Sequence, residues 1–205
     1  MSEACRAHWE GVYDERAPEA VSWFQDTPDS SLALIEHTGL GPDAAILDVG
    51  GGASRLVDHL LDRGYRDVTV LDVAERALAR AKARLGARAD EVAWVRADIT
   101  SARLDRTFDI WHDRAVFHFL TEASDRAAYR ARLHDALRPG GHVIVATFAL
   151  GGPKRCSGLP VVRYSPEVLA ETLGPGLSLR EAWDELHTTP AGVEQRFVFT
   201  RLVRG

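Results

Sequence analysis

The densest run of chemistry-bearing residues is Asp48-Val49-Gly50-Gly51-Gly52-Ala53-Ser54-Arg55. It follows an apolar stretch and opens a helical one. Glycines there let the backbone turn tightly and come close to a ligand. The helix start behind them offers free N–H groups and the positive end of a dipole. Gly50 and Gly52, with Asp48 and Ser54 at the flanks, form a candidate ligand-binding loop; a short carboxylate such as Asp48 also serves to cap a turn. Asp72 stands 20 positions after Gly52, where a carboxylate can accept hydrogen bonds from both hydroxyls of a ribose. Asp98-Ile99 offers an acceptor for the exocyclic amine of adenine and an apolar side chain for its ring. Arg55 occupies the third glycine position of G-x-G-x-x-G, which disfavours NAD or FAD. The pattern G-x-x-x-x-G-K-[ST] is absent, which disfavours a nucleoside triphosphate.

Further along, Asp113, His118 and His187 are candidate bases for an acceptor that arrives protonated. Asp113-Arg114 reads either as a site pair or as an exposed ion pair. His118 lies in the apolar stretch Val116–Leu120, where a satisfied, half-buried histidine is as good a reading as a substrate contact. Cys156, Arg163 and Tyr164 follow the fifth predicted strand and are candidate substrate contacts. Cys156 is equally a small buried residue, and Arg163 could pair a substrate anion or a surface acid. The eight histidines show no H-E-x-x-H, and the two cysteines lack ligand spacing, so no metal site is expected.

These residues need strands to carry them. Apolar runs at 45–50, 68–73, 91–95, 107–111 and 142–149 predict strands, and patterns at 54–63, 75–85 and 123–137 predict helices between them. Such alternation argues for a parallel sheet covered by helices on both faces. Residues 165–173 predict a short helix capped by Ser165 with Pro166 at its first position. Residues 177–186 and 193–203 predict an antiparallel pair closing the sheet. The stretch 6–37 predicts two helical pieces broken near Pro18 and Pro28, with a high density of aromatics at Trp9, Tyr13, Trp23 and Phe24. The expectation is one domain, 1–205: an N-terminal segment 1–40, a core 41–150 and a substrate-side portion 151–205.

Composition sets the outer limits. The 205 residues carry 25 Lys plus Arg against 30 Asp plus Glu, a net charge of −5, which argues against a surface built to neutralise many phosphates and hence against nucleic acid. No run of about 18 apolar residues suggests a membrane span, and the first residues lack the apolar core of a secretory signal. Two distant cysteines suggest free thiols and a cytoplasmic setting.

Ile46–Gly52, Val70-Leu71-Asp72-Val73, Asp98-Ile99, Phe108-Asp109-Ile110 and Leu137-Arg138-Pro139-Gly140-Gly141 together resemble the ordered motifs of class I S-adenosylmethionine-dependent methyltransferases. The resemblance covers residues 45–150. It implies a Rossmann-like, doubly wound α/β fold in three layers. The sheet would be seven-stranded and mostly parallel, with a C-terminal antiparallel strand. It also implies S-adenosyl-L-methionine as cofactor. Gly50 and Gly52 would approach its amino-acid part, Asp72 its ribose, and Val73, Asp98 and Ile99 its adenine. The Asn/Asp-Pro-Pro-Tyr/Phe box of nucleic-acid amino methyltransferases is missing after the fourth strand. Asp113-Arg114-Ala115 there is similar to the thiopurine methyltransferase-like enzymes and to the methyltransferase-like protein-lysine enzymes that act on elongation factors. Trp9-Glu10-Gly11-Val12-Tyr13 and Trp23-Phe24 resemble the leading segment of the second group, in which Trp9, Tyr13 and Trp23 would cover the cofactor and Arg114 would touch it. That group's usual Lys is Arg114 here.

The expected reaction is in-line methyl transfer to a small soft nucleophile (sulfur, selenium or nitrogen), governed mainly by alignment of the acceptor. Transfer to a protein lysine is the alternative, and a non-catalytic cofactor-binding protein a third. The acceptor and the oligomeric state are not written in the sequence.

Overall fold

The computed structural model describes residues 3–205. The elements run α1 (Glu3–Glu15), α2 (Asp29–Glu36), β1 (Ala45–Val49), α3 (Leu56–Asp62), β2 (Asp67–Asp72), α4 (Glu75–Leu85), β3 (Val92–Arg96), β4 (Phe108–Arg114), α5 (Ala123–Ala136), β5 (Leu137–Phe148), β6 (Arg155–Cys156), β7 (Leu159–Pro160), α6 (Pro166–Leu173), β8 (Leu177–Thr188) and β9 (Glu194–Arg204). Seven strands form one sheet in the order β3-β2-β1-β4-β5-β9-β8, and β6 and β7 make a separate small hairpin. β1 through β5 pair in parallel; β9 runs antiparallel between β5 and β8. The sheet is therefore Rossmann-like and mostly parallel, as expected. Among the described residues no helix is long and apolar enough to cross a membrane.

Alternation along the strands divides the core. β1 is buried on both faces. Ile46 joins Leu34, Ile35, Leu56, Leu60, Ile110 and Ile144 on the α2–α3 side. Leu47 and Val49 join Trp111, Tyr129, Leu133, Val143 and Leu169 on the α5–α6 side. Successive side chains on a strand point to opposite faces, so Asp48 shares the first side with Ile46. The helices close these faces with apolar stripes: Leu56, Val57, Leu60 and Leu61 are the buried residues of α3.

Several boundaries differ from the sequence reading. β5 begins at Leu137, where a helix end was expected, because Leu137 pairs with Phe108 across an irregularity before the ladder resumes at His142. The N-terminal stretch forms α1 and α2, but Val21–Pro28 between them is irregular rather than helical. α6 matches its expectation, with the Ser165 hydroxyl accepting from Val168 N at 3.3 Å.

α1 is tied to α4 from outside. The Glu10 carboxylate accepts from the backbone N–H groups of Glu75 at 2.8 Å and Arg76 at 3.2 Å. Ala74, at the N-cap position of α4, offers no side-chain cap of its own, so Glu10 supplies the anion that the helix start favours.

Candidate functional site

Strand order reverses between β1 and β4, and ligands in such sheets bind beyond the carboxyl ends of the strands at that point. Two cavities open there. The first, about 680 Å³ including solvent at its mouth, is lined by Val49 and Gly50 at the end of β1, Leu71–Val73 at the end of β2, Ala97 and Ile99 after β3, and Arg114–Val116 at the end of β4. Trp9, Tyr13, Trp23, Phe119 and Cys156 complete the wall. The second, about 580 Å³ on the same measure, runs under the N-terminal segment past Ser31, Asp48, Gly51, Ser54 and His112, and shares Tyr13, Trp23, Gly50 and Arg114 with the first.

The glycine loop is built for close approach. Gly50 has φ +70°, and a Cβ on it would fall 2.1 Å from Val116 Cγ2. Gly52 has φ +40°, and a Cβ there would stand 2.6 Å from Asp72 Oδ2 and 3.3 Å from the Tyr13 hydroxyl. Asp72 Oδ1 accepts from Ala74 N at 2.8 Å. Burial raises its pKa to about 7, aided by the charges of Asp48 and Glu10 and opposed by the backbone N–H groups of Ala74 and Val73. The Tyr13 phenol is likewise pushed above its ordinary value, first by burial and then by Asp72.

A cluster of aromatic rings roofs the first cavity. Trp9 meets Trp23 at 5.6 Å and Phe119 at 5.1 Å between ring centroids, both edge to face, and Tyr13 meets Trp23 at 6.3 Å. Such pairs add roughly 0.5–1.5 kcal/mol each beyond their buried area.

Arg114 leaves β4 on the opposite face from Asp113. Its Nη1 donates to the Trp23 carbonyl at 2.9 Å, and its guanidinium lies 4.8 Å above the Phe197 ring. Burial lowers its pKa to about 10 against the opposing charges of Glu185 and Cys156. Burial likewise raises the Cys156 thiol to about 11, with Arg114 and Ser22 pulling the other way.

Several expected site residues stand elsewhere. Asp113 is fully buried on the α5 side, where its carboxylate accepts from Val116 N at 2.9 Å, Phe117 N at 3.1 Å and the Tyr129 hydroxyl at 2.7 Å. Burial raises its pKa to about 6, and it holds the turn after β4 rather than lining either cavity. His118 is also fully buried and outside both linings; Phe148 N donates to its Nδ1 at 3.4 Å. A neutral ring then carries its proton on Nε2, and burial lowers its pKa to about 3. His187 donates from Nε2 to the Ser22 carbonyl at 2.8 Å and lines neither cavity. Asp98 accepts from the Thr100 N–H and hydroxyl and turns the chain after β3, leaving Ile99 in the cavity wall. Arg163 donates to the carbonyls of Leu150 and Gly152, and Tyr164 is buried beside Phe117. Of the three substrate candidates, Cys156 alone lines the first cavity. Ser54 accepts from Leu56 N at 3.1 Å and, with Asp48, lines the second.

Other participants escaped the sequence reading. His112 pairs with Asp48 beneath the glycine loop. Val49, Leu71, Ala97, Ala115, Val116 and Phe119 supply much of the apolar wall. Their signal was position alone: all but Phe119 stand within two residues of the carboxyl ends of β1–β4.

Residues 46–141 match the family described as Methyltransferase domain. Over 149 residues the chain is 24% identical to the mouse (Mus musculus) eEF1A lysine and N-terminal methyltransferase, covering 69% of this chain and 21% of that protein. The N-methyltransferase NodS of Bradyrhizobium japonicum WM9, solved with S-adenosylhomocysteine, superimposes with a TM-score of 0.73 at 19% identity, covering 97% of this chain and 98% of NodS. The Burkholderia thailandensis 1,6-didemethyltoxoflavin-N1-methyltransferase, solved with its substrate and S-adenosylhomocysteine, gives 0.70 at 22% identity over 98% and 84%. The fold is thus shared along nearly the whole length, and the family match runs from β1 into β5. Residues 46–141 are thus similar to a methyltransferase domain, and the fold around them is that of solved methyltransferases.

Proposed function

We propose that the first cavity holds S-adenosyl-L-methionine beside a small-molecule acceptor with a soft sulfur, selenium or nitrogen nucleophile. The observation that carries this reading is the aromatic roof. Trp9, Trp23 and Phe119 enclose the cavity where β4 ends, so that an acceptor placed there beside the cofactor would have to be compact. The local structure fits the cofactor: Gly50 lines both cavities, and Asp72 faces the first with one oxygen not used by Ala74. In this reading Asp72 accepts from the ribose hydroxyls. Val73, Ala97 and Ile99 flank the adenine, the loop at Gly50–Gly52 meets the amino-acid end, and Trp9, Tyr13 and Trp23 cover the whole.

When bound, the cofactor supplies a sulfonium methyl group whose leaving group is a neutral thioether. The chain's own task is to align the acceptor lone pair and to exclude water. Asp113, His118 and His187 line neither cavity, which favours an acceptor already deprotonated or neutral, a low-pKa thiol or a free amine, over one that needs a base. Cys5 and Cys156 form no disulfide, which fits a reducing, cytoplasmic setting.

The second reading, transfer to a protein lysine, is favoured by the alignment with the eEF1A lysine and N-terminal methyltransferases, of whose length the chain spans 21%. An assay for S-adenosylhomocysteine against thiols, selenols and amines, run beside cell lysate with labelled cofactor, separates the two. Release with low-mass acceptors supports the first reading. A labelled protein band with inert small acceptors overturns it in favour of the second.

A further inference from the structure

Arg114 is a buried cation with two of its three nitrogens unused as donors. Nη1 is taken by the Trp23 carbonyl at 2.9 Å, and Phe197 lies under the guanidinium plane. Among the described residues, Nε and Nη2 have no hydrogen-bond partner, and both atoms are buried. These two nitrogens form one edge of the guanidinium, with parallel N–H bonds. That edge matches the two oxygens of a carboxylate in a side-on fork. A buried charge is ordinarily paired. The acid whose charge acts on it is not the partner: Glu185 accepts from the Gln25 side-chain amide at 3.0 Å and forms no ion pair with Arg114.

Arg114 lines both cavities, and its neighbours on the first favour an acceptor there. Arg114 is at the end of β4, its charge acts on Cys156, His118 and His187, and its face rests on β9. This is the β5–β9 side of the cavity. Asp72, Val73 and Ile99 stand on the β2–β3 side, where the proposed function seats the ribose and adenine. The wall beside Arg114 is aromatic, formed by Trp9, Trp23 and Phe119, and suits a flat ring.

We infer that the acceptor is a planar aromatic or heteroaromatic acid, its carboxylate held side-on by Nε and Nη2 of Arg114 and its ring against Trp9, Trp23 and Phe119. This rests on the small-molecule reading above and names its substrate class. Arg114 would then be a specificity-determining residue for the acceptor, not a cofactor contact.

The test has a binding arm and a turnover arm. Benzoate is titrated by calorimetry into protein saturated with S-adenosylhomocysteine, for the wild type and for Arg114→Gln and Arg114→Lys. Anthranilate against aniline, and 2-mercaptobenzoate against thiophenol, are then compared as acceptors. The expected result is benzoate binding weakened about tenfold or more in Arg114→Gln, with partial recovery in Arg114→Lys. The carboxylated acceptor of each pair should win in kcat/KM by a similar factor in the wild type alone, while any loss of S-adenosylhomocysteine affinity, from release of the Trp23 carbonyl, stays smaller than the loss for benzoate. Wild type that does not bind benzoate overturns the inference, as does equal use of acid and neutral acceptors. Cofactor affinity that collapses in Arg114→Gln also overturns it, and assigns the edge to the cofactor's own carboxylate. Failure of the small-molecule reading looks different: no low-mass acceptor of either kind turns over, while a lysate protein is labelled.

Discussion

His112 Nδ1 and Asp48 Oδ1 lie 2.7 Å apart as directly paired positions of β4 and β1, both side chains buried beneath the glycine loop. His112 Nε2 continues the chain to Ser31 Oγ at 2.9 Å, which ties α2 to the sheet. Asp48→Ala strands the His112 donor in a buried site and should cost about 1–3 kcal/mol. Asp48→Asn should cost less, and Asp48→Ala should add little in a His112→Leu background. Denaturant midpoints at constant slope check this; an unshifted midpoint in Asp48→Ala would show the pair to be without weight.

Asp72 makes both stability and ligand affinity depend on pH. Its folded pKa of about 7 stands above the ordinary 3.8, and that of Asp113 is about 6. Each group therefore binds a proton more tightly when folded. Their contribution to stability is full below about pH 4 and drains as pH rises through 6 and 7. Melting temperature of the ligand-free protein should carry this loss, and Asp72→Asn should remove its upper part.

The ribose role runs the other way. An acceptor of two hydroxyl hydrogen bonds must be ionised, so S-adenosylhomocysteine affinity should rise from pH 6 to 8 with release of a proton near neutrality. Asp72→Ala should abolish binding, and micromolar affinity retained in calorimetry would remove Asp72 from the site.

Gly50→Ala places a methyl group 2.1 Å from Val116 Cγ2 at φ +70°. Roughly 1–3 kcal/mol of stability should be lost, with weaker cofactor binding. Thermal melts with and without S-adenosylhomocysteine check both; a variant as stable as the parent with full affinity counts against a close approach at this loop.

The aromatic roof predicts a kinetic effect. Removing residues 1–24 takes away Trp9, Tyr13 and Trp23 together and should raise the cofactor off-rate. Trp9→Ala is the milder form, expected to speed release about fivefold from the loss of its contacts with the Trp23 and Phe119 rings. Stopped-flow displacement that gives the parent rate in both would leave α1 a packing role alone.

The strands of the sheet were legible because buried parallel strands read as short apolar runs, and Ser165-Pro166 announced α6 by its cap. The start of β5 was not, because Leu137–Gly141 carries turn residues and yet pairs at Leu137 across an irregularity. Val21–Pro28 has no periodicity, and only packing on the sheet gives it a shape. In the site, neighbours in sequence misled. Asp113 and Arg114 look like a pair, but alternation along β4 sends them to opposite faces, one to Tyr129 and the other to Trp23. The pair that does form, Asp48 with His112, joins strands 64 positions apart and left no local signal.

The insertion of β9 between β5 and β8 fixes an order of assembly. A growing chain carries β5 with one open edge through the whole span from β6 to β8, and the strand that covers that edge is Glu194–Arg204. Closure must bring His142–Phe148 together with Phe197–Val203 over a long loop, a slow kind of contact to form. Phe197, the ring beneath Arg114, arrives with the same strand. The Arg114 guanidinium therefore gains the ring beneath it only when this long-range closure is made.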